Sequence, residues 1–198
     1  MHLIGINGYK GSGKGETSAA VVRLLGPGPV VREVGFADKV KLMAARSAGW
    51  SGTDEMLLPA WNHLKGKWHL VSWDNKGTRL GAMSDRQFIQ NLGHGARMTF
   101  GDDFWVDQVL PREQAMLQKM YPGVDVLVLP DLRYENEAQR VLDLGGVIWE
   151  VIRPGVTSDG HESEQPLPRG LVTWQIFNDG GIDDLDDLVG EALDNYPC

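Results

Sequence analysis

"NGYKGSGKGETSAAVVRLL", residues 7–25, decides the fold. Gly8-Tyr9-Lys10-Gly11-Ser12-Gly13-Lys14 satisfies G-x-x-x-x-G-K. The apolar run "HLIGIN" before it reads as a short buried strand, and Lys14 to Leu25 reads as a helix that "GPGP" at 26–29 then breaks. Strand, glycine loop, lysine and helix in this order are the context of a phosphate-binding loop. Glycines let the backbone curl so that successive N–H groups face inward as an anion nest. The helix beginning there adds the positive end of its dipole. Candidate contacts to a nucleotide polyphosphate are therefore Lys10, Gly11, Ser12, Gly13, Lys14, Gly15, Glu16 and Thr17, with the Lys14 ammonium as the mobile charge for the outer phosphates. Lys10 either adds charge to this pocket or points to solvent.

Gly15 departs from the common pattern, in which a serine or threonine after the lysine helps to hold Mg²⁺. Thr17 lies two residues further on, about 200° around a helix of 3.6 residues per turn, and so faces nearly the other way. Magnesium retains several waters readily, so a water is expected to take the missing hydroxyl's place, with phosphates and a carboxylate completing the shell. Glu16 is either an outer-shell contributor or simply a favourable acid in the first helical turn.

That carboxylate is expected at the end of another strand. "VDVLVLPD", 124–131, is a continuous branched apolar run that places Asp131 at a carboxyl edge, where ligands gather in open α/β sheets. Arg133, two residues on, suits a transferring phosphoryl group because guanidinium matches phosphate bidentately. The plainer alternative makes Asp131 a cap for the helix in "YENEAQRVLDLGG". "VVREVGF" (30–36), "VIWEVIR" and "LVTWQIFND" read as further strands, and Asp38 to Ala48 and "IDDLDDLVGEALDN" as helices. The class is α/β: a mainly parallel five-stranded sheet with helices on both faces. Residues 50–120 interrupt the rhythm between the second and third strands as a largely helical insertion, expected to bind substrate and cover the mouth of the site. It carries Trp50, Trp61, Trp68 and Trp73, a hairpin turn in "WDNKGTRL", and one helix each in "SDRQFIQNLGHGARMTF" and "DDFWVDQVLPREQAMLQKM". Packing is the simplest role for the tryptophans.

Bulk properties narrow the classes of function. A net charge of −8 argues against broad binding to nucleic acid, which needs clustered Lys and Arg. Cys198 is the one cysteine, which fits a reducing cytosol. The chain opens on an apolar strand with no charged n-region, and no stretch approaches the roughly 20 apolar residues of a membrane span. The expectation is one soluble, cytoplasmic domain over 1–198.

"GYKGSGK", "FADKVK" (36–41), "LGHGARMTFGDDFW" (92–105), "PDLRYENEA" (130–138), "HESE" (161–164) and "IFNDGGIDDL" (176–185) occur in order. Together they resemble the phage-type deoxynucleoside monophosphate kinases, least over 50–83, and with Lys-Gly-Glu-Thr where members usually have Lys-Asp-Thr. The resemblance implies an adenylate-kinase-like core that transfers the γ-phosphoryl of ATP, with Mg²⁺, to a deoxynucleoside monophosphate. It also implies a host-cytoplasm location if the chain is phage-encoded, and homodimers. Lys14, Asp131 and Arg133 would be catalytic, with Asp131 on the metal. Lys41, Arg97 and Arg133 are candidates for the acceptor phosphate, Phe36 and Trp105 for stacking or lining, and Asp38 for fixing Lys41 or touching the sugar. Arg153 and Arg169 flank 154–168, a polar loop suited to closing over ATP and excluding water. "HESE" reads as a motif that orders this loop, and no His/Cys spacing suggests zinc. The rivals are another P-loop small-molecule kinase and a non-catalytic nucleotide-binding protein.

Overall fold

The computed structural model describes residues 1–47, 49–64, 69–73, 79–157 and 166–196, apart from the side chains of 62–64, 69–73 and 79–86. The chain divides into two compact units, Met1–Phe36 with Val106–Cys198, and Ala37–Trp105.

The first unit holds a five-stranded sheet in the order β2-β5-β1-β6-β7. Its strands are β1 (His2–Asn7), β2 (Val31–Glu33), β5 (Val126–Leu129), β6 (Val147–Ile152) and β7 (Trp174–Phe177), and every pairing is parallel. Parallel strands need crossovers, and helices supply them on both faces. Alternation along β1 and β5 sends Leu3, Leu127 and Leu129 to one face, packed on α6 (Gln114–Met120) and α7 (Glu135–Asp143) through Leu117, Ala138 and Val141. Ile4, Ile6, Val126 and Val128 go to the other face. There they meet Ala20 and Val21 of α1 (Lys14–Leu25) and Leu185 and Val189 of α8 (Ile182–Asn195). Strands covered on both faces must be apolar at nearly every position, as "VLVL" of β5 is. One consequence positions the site: all five carboxyl ends lie on one edge.

The second unit contains α3 (Asp54–Leu64), the antiparallel hairpin β3 (His69–Trp73) and β4 (Arg79–Ser84), and α4 (Asp85–Phe100). Most of α2 (Phe36–Ser47) also lies here. Trp61 is buried with Ala44 and Ala45 and tilts against Trp50, while Trp105 packs with Val40 and Ala96. Trp68 lies outside the described residues.

Several expected elements differ. The helix expected through 102–120 is two, α5 (Phe104–Asp107) and α6. Pro111 lacks an amide and disfavours helix at the residue before it. The expected insertion is correspondingly divided: 50–105 falls in the second unit, whereas Val106, Val109, Leu110 and Leu117 pack in the core of the first. The strand expected over 30–36 is only three residues long, because Phe36 already begins α2. Helix α3 has no counterpart in the sequence reading. Pro59 inside it obscures the pattern, although Asp54 and Glu55 mark its first turn.

Candidate functional site

The loop between β1 and α1 has the backbone that its glycines permit. Gly8, Gly11 and Gly13 have φ of 147°, 85° and 108°, values that residues with a Cβ rarely adopt. Space is equally restrictive at both ends of the loop. A Cβ on Gly8 would lie 2.5 Å from the Val151 carbonyl oxygen, and one on Gly13 would lie within van der Waals overlap of the Asn178 side chain. The Ser12 amide turns back to the Tyr9 carbonyl at 3.1 Å. Ser12 is 1% exposed, and its buried hydroxyl has no hydrogen-bond partner among the described residues. The Lys14 ammonium folds over the loop and donates to the Gly8 and Tyr9 carbonyls at 2.5 and 2.8 Å.

The residues after the lysine divide sharply. Gly15 is helical, with open space where a Cβ would stand. Thr17 is fully buried, and its hydroxyl donates to the Gly13 carbonyl at 3.1 Å. Ser18 is also buried and donates to the Glu33 carboxylate. The Glu16 carboxylate accepts from Arg23 at 3.0 Å, and Arg23 also reaches Asp186 at 2.6 Å. Lys10 is exposed.

Asp131 and Arg133 follow β5 at the same edge, in a turn gripped from two sides. Asn7, buried at the end of β1, donates its side-chain amide to the Leu132 carbonyl at 3.0 Å. Glu137, buried in the first turn of α7, accepts the Arg133 and Tyr134 amides at 2.8 and 3.1 Å. Glu137 thus caps α7. Asp131 Oδ1 accepts the Phe36 amide at 3.0 Å, at the start of α2.

A small cleft opens beside the start of the loop, lined by Asn7, Gly8, Tyr9, Arg133, Glu150 and Arg153 among others. Arg133 and Arg153 thereby line one pocket with residues of the loop. Arg169 is exposed in a short 3₁₀ turn. In the second unit Lys41 donates to Asp38 at 2.7 Å, and Arg97 lies in the last turn of α4. Phe36 and Trp105 are 3% and 2% exposed, and the Trp105 indole N–H donates to the Gly93 carbonyl at 2.9 Å. His161 and the rest of "HESE" lie outside the described residues.

Sequence reasoning gave no role to Asn7, Glu137 or Asn178. A shared signal was present, since "IGIN" and "QIFN" are apolar strands that end in asparagine at the ligand-bearing edge. Glu137 stands three residues after Tyr134, the spacing of a helix cap.

The geometry fits a polyphosphate: inward-curled glycines, an orphaned buried hydroxyl and an ammonium at the mouth. For Mg²⁺ the donors are sparse. Among the described residues no three His, Cys, Asp or Glu side chains cluster as a metal site. One carboxylate, Asp131, fits an ion that takes the rest of its shell from phosphates and water. Fold and loop together define a P-loop kinase-like α/β protein.

The family model of deoxynucleotide monophosphate kinases matches residues 53–189, more than half of the chain, though not the loop itself. A deoxynucleotide monophosphate kinase of Enterobacteria phage T4 is 32% identical over 78 residues, which cover 39% of this chain and 32% of the phage protein. A protein of Acanthamoeba polyphaga mimivirus, provisionally named deoxynucleotide monophosphate kinase, is 26% identical over 201 residues, covering 98% of this chain and 97% of its own. The chain belongs to the deoxynucleotide monophosphate kinase family. No helix among the described residues is long and apolar enough to cross a membrane.

Proposed function

We propose that the chain transfers the γ-phosphoryl group of ATP to a deoxynucleoside monophosphate, yielding ADP and the deoxynucleoside diphosphate for DNA precursor supply. The observation that carries this is the loop: Gly8 and Gly13 backed by Val151 and Asn178, with Lys14 across the mouth, in a member of this family. The main-chain amides of residues 11–16 and the Ser12 hydroxyl bind the β- and γ-phosphates. Lys14 exchanges the Gly8 and Tyr9 carbonyls for phosphate oxygens, so its charge is delivered where negative charge spreads. An α-phosphate oxygen of the acceptor attacks the γ-phosphorus, and the bond to the β,γ-bridging oxygen breaks. The acceptor already carries oxyanions, so positioning and charge neutralisation dominate and no general base is required.

Arg133, projecting into the cleft beside the loop, neutralises the transferring group, and Arg153 holds the donor from the other wall. Lys41 and Arg97 take the acceptor's phosphate, with Asp38 orienting Lys41 and Trp105 as lining. Mg²⁺, when bound, draws charge from the β- and γ-oxygens, and Asp131 is the residue that would hold it. ADP formation from ATP and Mg²⁺ with each deoxynucleoside monophosphate in turn tests the proposal. Acceptor-dependent turnover is expected with at least one of them. None at high enzyme concentration would leave nucleotide binding without transfer, the alternative that Gly15 favours.

A further inference from the structure

The segment "IFNDGG", 176–181, stands out in the sequence, and no side chain of it takes part in the transfer step above. Asn178 follows directly on β7 and is 5% exposed. Its backbone amide continues the ladder to the Ile152 carbonyl at 2.8 Å. Its side-chain amide leaves the sheet and donates to the Ser12 carbonyl at 2.7 Å, across 166 residues of sequence. That carbonyl belongs to the peptide linking Ser12 to Gly13, and no peptide in the described chain is cis. In a trans peptide the C=O and N–H point in opposite directions within one plane. Holding the Ser12 oxygen toward Asn178 therefore turns the Gly13 N–H to the opposite face of the loop. Gly13 is the residue before α1, where amides have no intrahelical acceptor and are available to an anion.

We propose that Asn178 is a positioning residue for the phosphate site, setting the direction of the Gly13 N–H through the Ser12 carbonyl without touching the nucleotide. This rests on the loop's binding a nucleotide polyphosphate. The side-chain chemistry fits the task. An amide donates to a carbonyl without adding charge, whereas a carboxylate repels that oxygen and places a negative charge behind an anion site. The contact also explains Gly13, since an alanine there would put a Cβ on the amide nitrogen that makes the bond.

The test compares the full chain with Asn178→Ala and Asn178→Asp, by calorimetric titration with ATP and with inorganic tripolyphosphate. Both variants are expected to bind both ligands about tenfold or more weakly, Asp more than Ala, the scale of a buried carbonyl losing its donor. With ATP saturating, the KM for the acceptor is expected to stay within about twofold of wild type, separating positioning of the donor from general damage. The Gly13 amide resonance is expected to shift and its hydrogen exchange to accelerate. If the Ala variant fails to fold, the nearly isosteric Asp variant decides. Wild-type affinity for tripolyphosphate in the Asp variant overturns the proposal, and so does a loss shared equally by donor and acceptor. A wild-type chain that binds neither ATP nor tripolyphosphate is a different result, removing the nucleotide-binding function itself.

Discussion

Gly13 and Gly15 flank one lysine and answer to different constraints. Gly13 has a φ of 108° and the Asn178 amide against it, while Gly15 is helical with open space around it. Gly13→Ala is expected to destabilise the chain by about 1–3 kcal/mol, from left-handed strain plus overlap, and to abolish nucleotide binding. Gly15→Ala is expected to be neutral or to stabilise by up to about 1 kcal/mol, the usual gain for replacing a helical glycine. Urea unfolding of the two variants separates them; equal losses would contradict this division. Gly15→Ser likewise meets no steric obstacle, so a changed Mg²⁺ requirement in that variant would report the hydroxyl rather than a damaged loop. Lys14→Ala is expected to lose at least ~10²-fold in turnover, the low end for removing a group that stabilises transition-state charge. Near-normal rates would mean that Lys14 has no part in transfer.

Among the elements, the turn after β5 decides whether Asp131 and Arg133 can serve the loop. It is held by Asn7 from β1 and by Glu137 from α7. Glu137→Ala leaves two amides without their buried acceptor, so a loss of about 1–2 kcal/mol is expected by denaturant unfolding. Turnover should fall further than the stability loss alone explains, and Glu137→Gln should restore much of both, because its amide oxygen still accepts. An Ala variant as stable as wild type would show that the cap is dispensable. The boundaries of α1 and α8 were legible because their stops and starts are local, glycine at 26 and 181. The division of α5 from α6 was not. Pro111 marks where the helix breaks, but nothing local says that Val106 and Leu117, on either side of it, both belong to the sheet's core.

Across the whole molecule, stability at the pH extremes follows from two groups that brace the first unit. Burial pushes the Tyr121 hydroxyl up to about 12, against a small opposing effect of Arg32, and the hydroxyl donates to the Val109 carbonyl at 2.6 Å. The folded chain therefore holds this proton more tightly than the unfolded one. The associated stability is complete below the ordinary tyrosine value and is lost as pH rises from about 10 toward 12. Tyr121→Phe should flatten this alkaline limb in pH-dependent unfolding, and an unchanged limb would assign it elsewhere. At the acid end, a hydrogen bond from Arg112, opposed by burial and reinforced by Arg140, holds the Asp107 carboxyl below its usual range. That contribution is present above the unfolded carboxyl's value and is lost as pH falls through the folded one. From the sequence alone came the α/β class, the loop with its lysine, the strand bearing Asp131, and the closing helix. Each depends on interactions within a few residues: glycine's freedom at positive φ, hydrophobic period, and helix stops. Only the tertiary structure decided that Asn178 grips Ser12, Asn7 grips Leu132, and Asp131 takes the Phe36 amide, contacts 166, 125 and 95 residues apart. These pairings are created by the order of strands in the sheet, and parallel strands joined by long crossovers leave no local trace of which neighbours they will have.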